Sequence, residues 1–269
     1  MFTPISKVAD WQDLQEKVRD FFEELGYEAK TNHRVKLANG GEANVDVFAT
    51  KGNSPLAQKI LFECKHWNTY VPRAIVQSFK MDVQEAGANF GIIVAKEGFQ
   101  SGSYEGITLT TVKLYTFEEL QGVFAKEWAE QVLRPVMERQ VVVADLARNF
   151  EFGTPERSFF ESTLFNEKLK DLYDDLWESI HFPLALYKDY FVRDALSQIS
   201  PVNVTFPSQM HDGEPRTAQF EDVRTMAACF RSLFDHAIER WKNYQKMYGL
   251  EFRLATEPEQ RDILGLPPN

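Results

Sequence analysis

A short apolar run that ends in charged residues constrains the fold of this chain more than any other feature. Residues 60–65 read Ile-Leu-Phe-Glu-Cys-Lys, and an apolar run of this length is typical of a buried β-strand. Side chains alternate between the two faces of a strand, so Glu63 and Lys65 are predicted to share one face and Cys64 to lie on the other. Charges are costly to bury unless something compensates them. The pair therefore indicates a role beyond packing.

A second carboxylate is predicted to reach the same place. Residues 40–49 read as a turn followed by a short strand that contains Asp46. The turn-like residues 51–55 separate this strand from the next one, at 59–65, so the two strands are predicted to pair as a hairpin. Asp46 and Glu63 would then lie close to the ammonium of Lys65.

This arrangement suits phosphodiester hydrolysis, because Mg²⁺ is commonly held by one or two carboxylates together with substrate phosphate. In this hypothesis Asp46, Glu63 and the backbone carbonyl of Cys64 bind the metal, and Lys65 faces the attacking water and the phosphate. Mn²⁺ is expected to substitute. The alternative from the residues alone is that Asp46 closes a turn and that Glu63 and Lys65 form an ion pair on an edge strand.

The order of predicted elements indicates one α/β domain over residues 1–122. Helices are predicted from hydrophobic spacing and their start and stop signals, and strands from apolar runs. Thr116, followed three residues later by Glu119, predicts a capping box. The expected helices are 11–25, 71–86 and one with Thr116 as its N-cap, and the expected strands are 27–37, a short strand within 40–49, 59–65, 90–95 and 112–115.

Residues 123–269 are predicted to form an all-α domain that mediates assembly or recognition. Helices are expected at 123–147, with a kink at Pro135, at 164–180 and at 218–248, with a polar connection over 199–215. Their aromatic residues predict a helical core or a surface that pairs subunits into a homo-oligomer. The aromatic residues singled out are Trp177, Phe182, Tyr187, Tyr190, Phe191, Phe230, Phe234 and Trp241.

Charge is distributed unevenly along the chain. The net charge is −10, which is unfavourable for a nucleic-acid partner. Residues 1–122 carry 13 lysines and arginines against 16 acids, whereas residues 123–269 carry 17 against 24. The N-terminal part is thus nearly neutral, and a bound cation would offset some of its acids.

The two cysteines and the absence of long apolar runs indicate the cellular setting. Cys64 and Cys229 show no disulfide or zinc spacing and are predicted to be small buried hydrophobes. No apolar run approaches the roughly 20 residues that cross a bilayer, and the N-terminus has no signal-peptide pattern. We expect a cytoplasmic protein with no membrane association.

The ordered set of motifs resembles the Mrr-type branch of the PD-(D/E)XK nucleases, the restriction endonuclease-like superfamily. The resemblance covers roughly residues 10–122. It implies a mixed β-sheet flanked by helices and metal-dependent cleavage of DNA. The matching features, in order, are Asp46, residues 62–65, a helix containing Gln77, and residues 91–94, 98–102 and 112–115.

The resemblance also implies two further site residues. Gln77 matches a helical glutamine that lies near the active site in related nucleases. Some relatives place a glutamate of the first helix at the metal site, and Glu16 is preferred over Glu23 for this place, although Glu16 also fits a solvated helix acid. The chain departs from the family pattern at Asn44 and Val45, just before Asp46.

The predicted function is Mg²⁺-dependent endonucleolytic cleavage of DNA, with a role in restriction or anti-phage defence by family analogy. One alternative is a non-catalytic module on a nuclease scaffold that binds nucleic acid or protein. A second alternative is a structure-selective resolvase or repair nuclease.

Overall fold

The computed structural model describes residues 4–5, 7–53, 56–152, 202–206 and 216–248. The chain divides into two compact units, residues 1–131 and 132–269. Within the described residues, no helix combines the length and the apolar character that crossing a bilayer requires.

A five-stranded mixed sheet forms the centre of the first unit, and its strands lie side by side in the order in which they follow along the chain. The first three strands pair antiparallel through short turns, whereas the last two pairs are parallel and need helical crossovers. The strands are β1 (Glu28–Lys36), β2 (Glu42–Lys51), β3 (Gln58–Lys65), β4 (Phe90–Ala95) and β5 (Val112–Thr116).

Helices cover both faces of this sheet, as the sequence predicted. The helices of the first unit are α1 (Trp11–Glu24), α2 (Arg73–Glu85), the short α3 (Ser101–Glu105) and α4 (Phe117–Trp128). The predicted capping box begins α4, because the Thr116 hydroxyl accepts from the Glu119 N–H at 3.2 Å and the Glu119 carboxylate accepts from the Thr116 N–H at 2.8 Å. The expected mixed sheet flanked by helices is therefore confirmed.

Two apolar layers hold the helices to the sheet. On one side Phe22 of α1 packs edge-on against Phe62 of β3, with ring centroids 4.5 Å apart, and against Phe124 of α4 at 5.3 Å. On the other side the buried residues of α2 pack in one cluster with Leu61 and Ile93 of the central strands. The buried residues of α2 are Val76, Phe79 and Val83.

After α4 the chain continues through a π-helical turn (Ala129–Leu133) into α5 (Arg134–Phe152). The helical segment predicted to begin at residue 123 thus lies partly within α4. The π-helical turn ends two residues before Pro135, and the kink expected there stays a prediction.

The second unit is mainly helical, and it contains a strand pair that the sequence analysis did not predict. β6 (Val202–Phe206) and β7 (Arg216–Phe220) pair antiparallel, and α6 (Val223–Tyr248) follows. The polar connection assigned to residues 199–215 is therefore partly a strand. The helix predicted from residue 218 begins at Val223 instead, because residues 216–220 pair as β7. The all-α description holds for α5 and α6 but needs this correction for β6 and β7.

The buried stripe of α6 explains why its helix was predictable. Its inward residues recur every three or four positions. A separate contact joins this helix to α5, because Arg139 of α5 donates to the carboxylate of Asp235 at 2.6 Å. Cys229, expected to be buried, is exposed on this helix. The helix predicted at 164–180 and the aromatic residues from Trp177 to Phe191 lie outside the described residues. The buried stripe is Val223, Met226, Ala227, Phe230, Phe234 and Ala237.

Candidate active site

Asp46 lies at an interruption in the pairing of β2 with β1 and directly beyond the end of its pairing with β3. The β1–β2 register passes from Thr31–Val47 to His33–Val45 and omits the intervening pair, and the β2–β3 register ends at Val47–Phe62. Asn32, which would stand opposite Asp46 in the β1–β2 register, has a φ of 50°, and this left-handed conformation is uncommon for a residue other than glycine. The backbone pairing of β2 is therefore incomplete on both sides at Asp46.

Two donors hold the Asp46 carboxylate, one at each oxygen. The Gln15 side chain on α1 donates through Nε2 to Oδ1 at 2.9 Å, and the backbone N–H of Cys64 on β3 donates to Oδ2 at 2.7 Å. A carboxylate has about four lone-pair positions, so both oxygens keep room for a further ligand. Asp46 is therefore oriented without being saturated.

Glu63 and Lys65 form an ion pair beside this carboxylate. Glu63 Oε1 accepts from Lys65 Nζ, and the two side chains are 22% and 17% exposed, so solvent reaches both. The Lys65 ammonium also lies 5.5 Å from the centre of the Trp67 ring. β3 lies between β2 and β4 in the sheet, but its pairing with β2 ends at Phe62, so residues 63–65 pair with β4 alone.

Burial and the neighbouring carboxylate set the electrostatics of the site. Burial raises the pKa of Glu63 above its ordinary value, the Lys65 ammonium opposes this, and the Asp46 carboxylate adds to the increase. Glu63 and Asp46 thus repel each other, and a cation between them would relieve that repulsion. Burial also raises the pKa of the Cys64 thiol well above its usual range, and strand alternation turns this side chain away from Glu63 and Lys65.

The donor set fits a hard divalent cation that is completed by substrate. Among the described residues there is no group of three or more histidine, cysteine, aspartate or glutamate side chains arranged to hold a metal. Two carboxylates are nevertheless what a Mg²⁺ site uses when the remaining ligands are water and phosphate. Asp46 and Glu63 would hold such an ion.

Glu16 and Gln77, the other two predicted site residues, make their contacts elsewhere. The Glu16 carboxylate pairs with Arg19 on the same helix and accepts from the Thr31 hydroxyl at 3.4 Å. The amide of Gln77 packs against Gly106, where an added Cβ would lie 3.7 Å from its Cδ. The structure thus brings Asp46, Glu63, Lys65 and the backbone of Cys64 together, and the roles of Glu16 and Gln77 stay predictions.

Gln15 is the site residue that the sequence analysis missed. It is 6% exposed and lies next to Glu16 on α1, but it faces the sheet with Val18 and Phe22 of the buried stripe. A polar side chain on the apolar face of a helix was the signal that could have identified it.

Comparison with known proteins gives a family match for the part of the chain that contains this site. Residues 6–124 match a family model described as a restriction endonuclease, the Mrr catalytic domain. No curated protein matches the sequence. Among solved structures, the chain is similar to a protein of unknown function, AF1548, with 18% identity, a TM-score of 0.36, and coverage of 64% of this chain and 100% of that one.

A second similar structure is the DNA modification-dependent restriction endonuclease AspBHI, with 17% identity, a TM-score of 0.26, and coverage of 46% of this chain and 39% of that one. Both TM-scores are low, so the assignment depends on the family match. Residues 6–124 therefore form a restriction endonuclease domain of the Mrr type.

Proposed function

We propose that this chain is a metal-dependent endonuclease that hydrolyses phosphodiester bonds in DNA, with Asp46, Glu63 and Lys65 as its catalytic residues. The observation that carries the proposal is the convergence of two carboxylates and an ammonium at one solvent-reachable point of the Mrr-type domain. Burying a charged pair at the end of an apolar strand is costly unless something compensates the charges, so packing alone does not account for Glu63 and Lys65.

Each side chain has a distinct task in this proposal. A bound Mg²⁺, or Mn²⁺ in its place, supplies positive charge at the phosphoryl oxygens and favours ionisation of a nucleophilic water. Asp46 and Glu63 hold the ion, and the backbone carbonyl of Cys64 is proposed as a third ligand. Lys65 stabilises the charge that develops on the phosphate and orients the water.

Gln15 and the backbone N–H of Cys64 act through Asp46. Their hydrogen bonds fix the carboxylate in one orientation before substrate arrives, so that less order has to be created during the reaction. The pairing of β2 with β3 ends at Val47–Phe62, so the Cys64 N–H donates to this carboxylate and not to a backbone carbonyl of β2.

Local charge favours DNA as the substrate despite the acidic chain. Residues 64–81 contain Lys65, Arg73 and Lys80 and no aspartate or glutamate. This segment begins at the candidate site and follows it along the chain, so its basic side chains would attract the DNA phosphates next to the site.

We further propose a role in restriction or anti-phage defence, by analogy with the family. In this proposal the domain boundary lies near residue 122. The N-terminal domain cleaves DNA, and the C-terminal helical part, residues 123–269, assembles copies of the chain. A twofold pair would present two active sites to two antiparallel strands.

Cleavage of supercoiled plasmid tests the proposal. We expect nicked and linear DNA in the presence of Mg²⁺ or Mn²⁺ and none with a chelator. Intact plasmid under every cation condition would favour a non-catalytic binding module. Cleavage confined to branched DNA, in a comparison of linear, modified and branched substrates, would favour a resolvase or repair nuclease.

A further inference from the structure

Two aromatic rings are exposed immediately after the candidate active site. Trp67 is 40% exposed and Tyr70 is 61% exposed, and we call these two residues the aromatic rim. Aromatic side chains carry a large apolar area and usually gain stability by burial. Two exposed rings within four residues of each other, directly after Lys65, therefore call for an explanation other than packing.

The segment that carries the aromatic rim is fixed at its far end. Val71, which follows Tyr70, is fully buried. Its N–H donates to the Gly98 carbonyl at 2.9 Å, and its carbonyl accepts from the Gln100 N–H at 3.1 Å. The exposure of the rim is therefore a property of an anchored segment.

The segment after β4 lies beside the rim and adds contacts and charge. The Lys96 ammonium donates to the Asn68 side chain at 2.6 Å, and the Lys96 N–H donates to the Lys65 carbonyl at 2.9 Å. Gly98 lies against Tyr70, because a Cβ built on it would be 3.6 Å from Cε1 of the ring. Gly98 has a φ of 102°, so glycine also provides the turn that brings this segment back to Val71.

Trp67 places the aromatic rim next to Lys65, a proposed catalytic residue. Its ring centre lies 5.5 Å from the Lys65 ammonium, a cation–π distance. A nucleotide stacked on Trp67 would thus lie close to Lys65, the lysine that faces the scissile phosphate in the proposed reaction.

We propose that the aromatic rim stacks an unpaired base of the DNA strand next to the scissile phosphate, so that the preferred substrate contains an unstacked base at the cleaved step. This inference rests on the proposed function. Exposed aromatic faces beside lysine and arginine are the combination by which proteins bind unpaired nucleotides. Fully paired DNA offers its phosphates to Lys65, Arg73 and Lys96 but no base face to the rim.

A binding experiment tests this inference separately from cleavage. Two labelled duplexes of one sequence are compared in chelator, one fully paired and one with a single internal base that has no partner. We expect the wild-type chain to bind the second duplex more tightly. Tyr70→Ala should reduce that preference by roughly 5- to 150-fold, the range expected for loss of one base–aromatic stack, whereas Tyr70→Phe should keep it.

Phe90→Ala is the matched control, because Phe90 is 38% exposed and begins β4 at the opposite end of the sheet from Lys65. Its preference should equal that of the wild type. Equal affinity of the wild type for both duplexes, or an unchanged preference in Tyr70→Ala, would overturn the inference. If the chain cleaves plasmid but binds both duplexes equally, the inference about the aromatic rim is wrong and the proposed function stands. If the chain binds the duplex with the unpaired base more tightly but cleaves no DNA in any divalent cation, the proposed function is wrong and the binding role of the rim stands.

Discussion

The Gln15 side chain donates a hydrogen bond to the Asp46 carboxylate at 2.9 Å and so connects the first helix to the candidate active site. Gln15 is buried and Asp46 lies at an interruption of its strand pairing. Through this contact α1 contributes a side chain to the candidate site, whereas the carboxylate of the neighbouring Glu16 pairs with Arg19.

Gln15→Leu is predicted to lower the cleavage rate by roughly 10- to 100-fold, the usual cost of losing a group that orients a metal-site ligand. Leucine keeps most of the buried volume, so we expect the chain to remain folded. Initial rates of plasmid cleavage at several Mg²⁺ concentrations measure the effect.

Gln121→Leu is the matched control for this variant. Gln121 is also a buried glutamine, 2% exposed, but its side chain accepts from the Ile5 N–H on another part of the domain. We expect a loss of stability with no loss of cleavage. Equal cleavage by Gln15→Leu and Gln121→Leu would contradict the role given to Gln15.

Much of the candidate site follows from the sequence, because β-strand alternation has a fixed period. It places Glu63 and Lys65 on one face, and a short turn after Asp46 brings the second carboxylate alongside. The choice between Gln15 and Glu16 could not be made in this way. One position on a helix is a rotation of about 100°, so the apolar spacing of α1 can place Gln15 on the buried face, but it does not show that this side chain reaches Asp46.

The strand pair of the second unit was missed for another reason. Residues 202–206 alternate apolar and polar side chains, as a strand should, but Pro201 and Pro207 flank them and favoured a loop. Residues 217–220 alternate as well, and the apolar spacing of the helix that follows extended the helix prediction into them. Pairing of two distant short segments is decided by tertiary structure, which local patterns do not contain.

Glu63 is predicted to make the metal-free protein less stable as the pH rises. Burial raises its pKa in the folded chain above the ordinary value of 4.5. Between these two values the folded chain binds more protons than the unfolded chain, so the free energy of unfolding falls as the pH increases through the interval.

Glu63→Gln removes this ionisation. The stability of the wild type minus that of the variant should therefore decrease from pH 4.5 upward and level off above the raised value. Urea unfolding in chelator across this range measures the difference. A difference that rises with pH would show that the Lys65 ammonium outweighs burial.

Gly91 is predicted to be required for packing of α2 on the sheet. A Cβ at this position would overlap the Val83 side chain and lie 2.9 Å from Phe79 Cε1. Gly91→Ala should therefore cost about 1–3 kcal/mol by overpacking. Urea unfolding measures the loss.

Combining Gly91→Ala with Val83→Ala should cost less than the sum of the two single changes, because removal of the Val83 methyl groups makes room for the new one. Additive losses would contradict the close approach of Gly91 and Val83.

The capping box of α4 is predicted to stabilise the first unit. Thr116→Ala removes the hydroxyl that accepts from the Glu119 N–H, which should lower the free energy of unfolding by about 1 kcal/mol. Thr116→Ser keeps the hydroxyl and should restore most of the stability. Denaturant unfolding of the three proteins decides, and equal stability of the alanine and serine variants would contradict the capping role.

The most direct measurement of the central claim is the initial rate of plasmid cleavage in Mg²⁺ by the wild type and by Asp46→Asn, Glu63→Gln and Lys65→Met, with Lys113→Met as the control. Lys113 is an exposed lysine on β5 and contributes nothing to the candidate site. We predict that the three site variants lose at least about 100-fold in rate and that the control cuts like the wild type. Cleavage by Lys65→Met or Glu63→Gln at the wild-type rate would contradict the account.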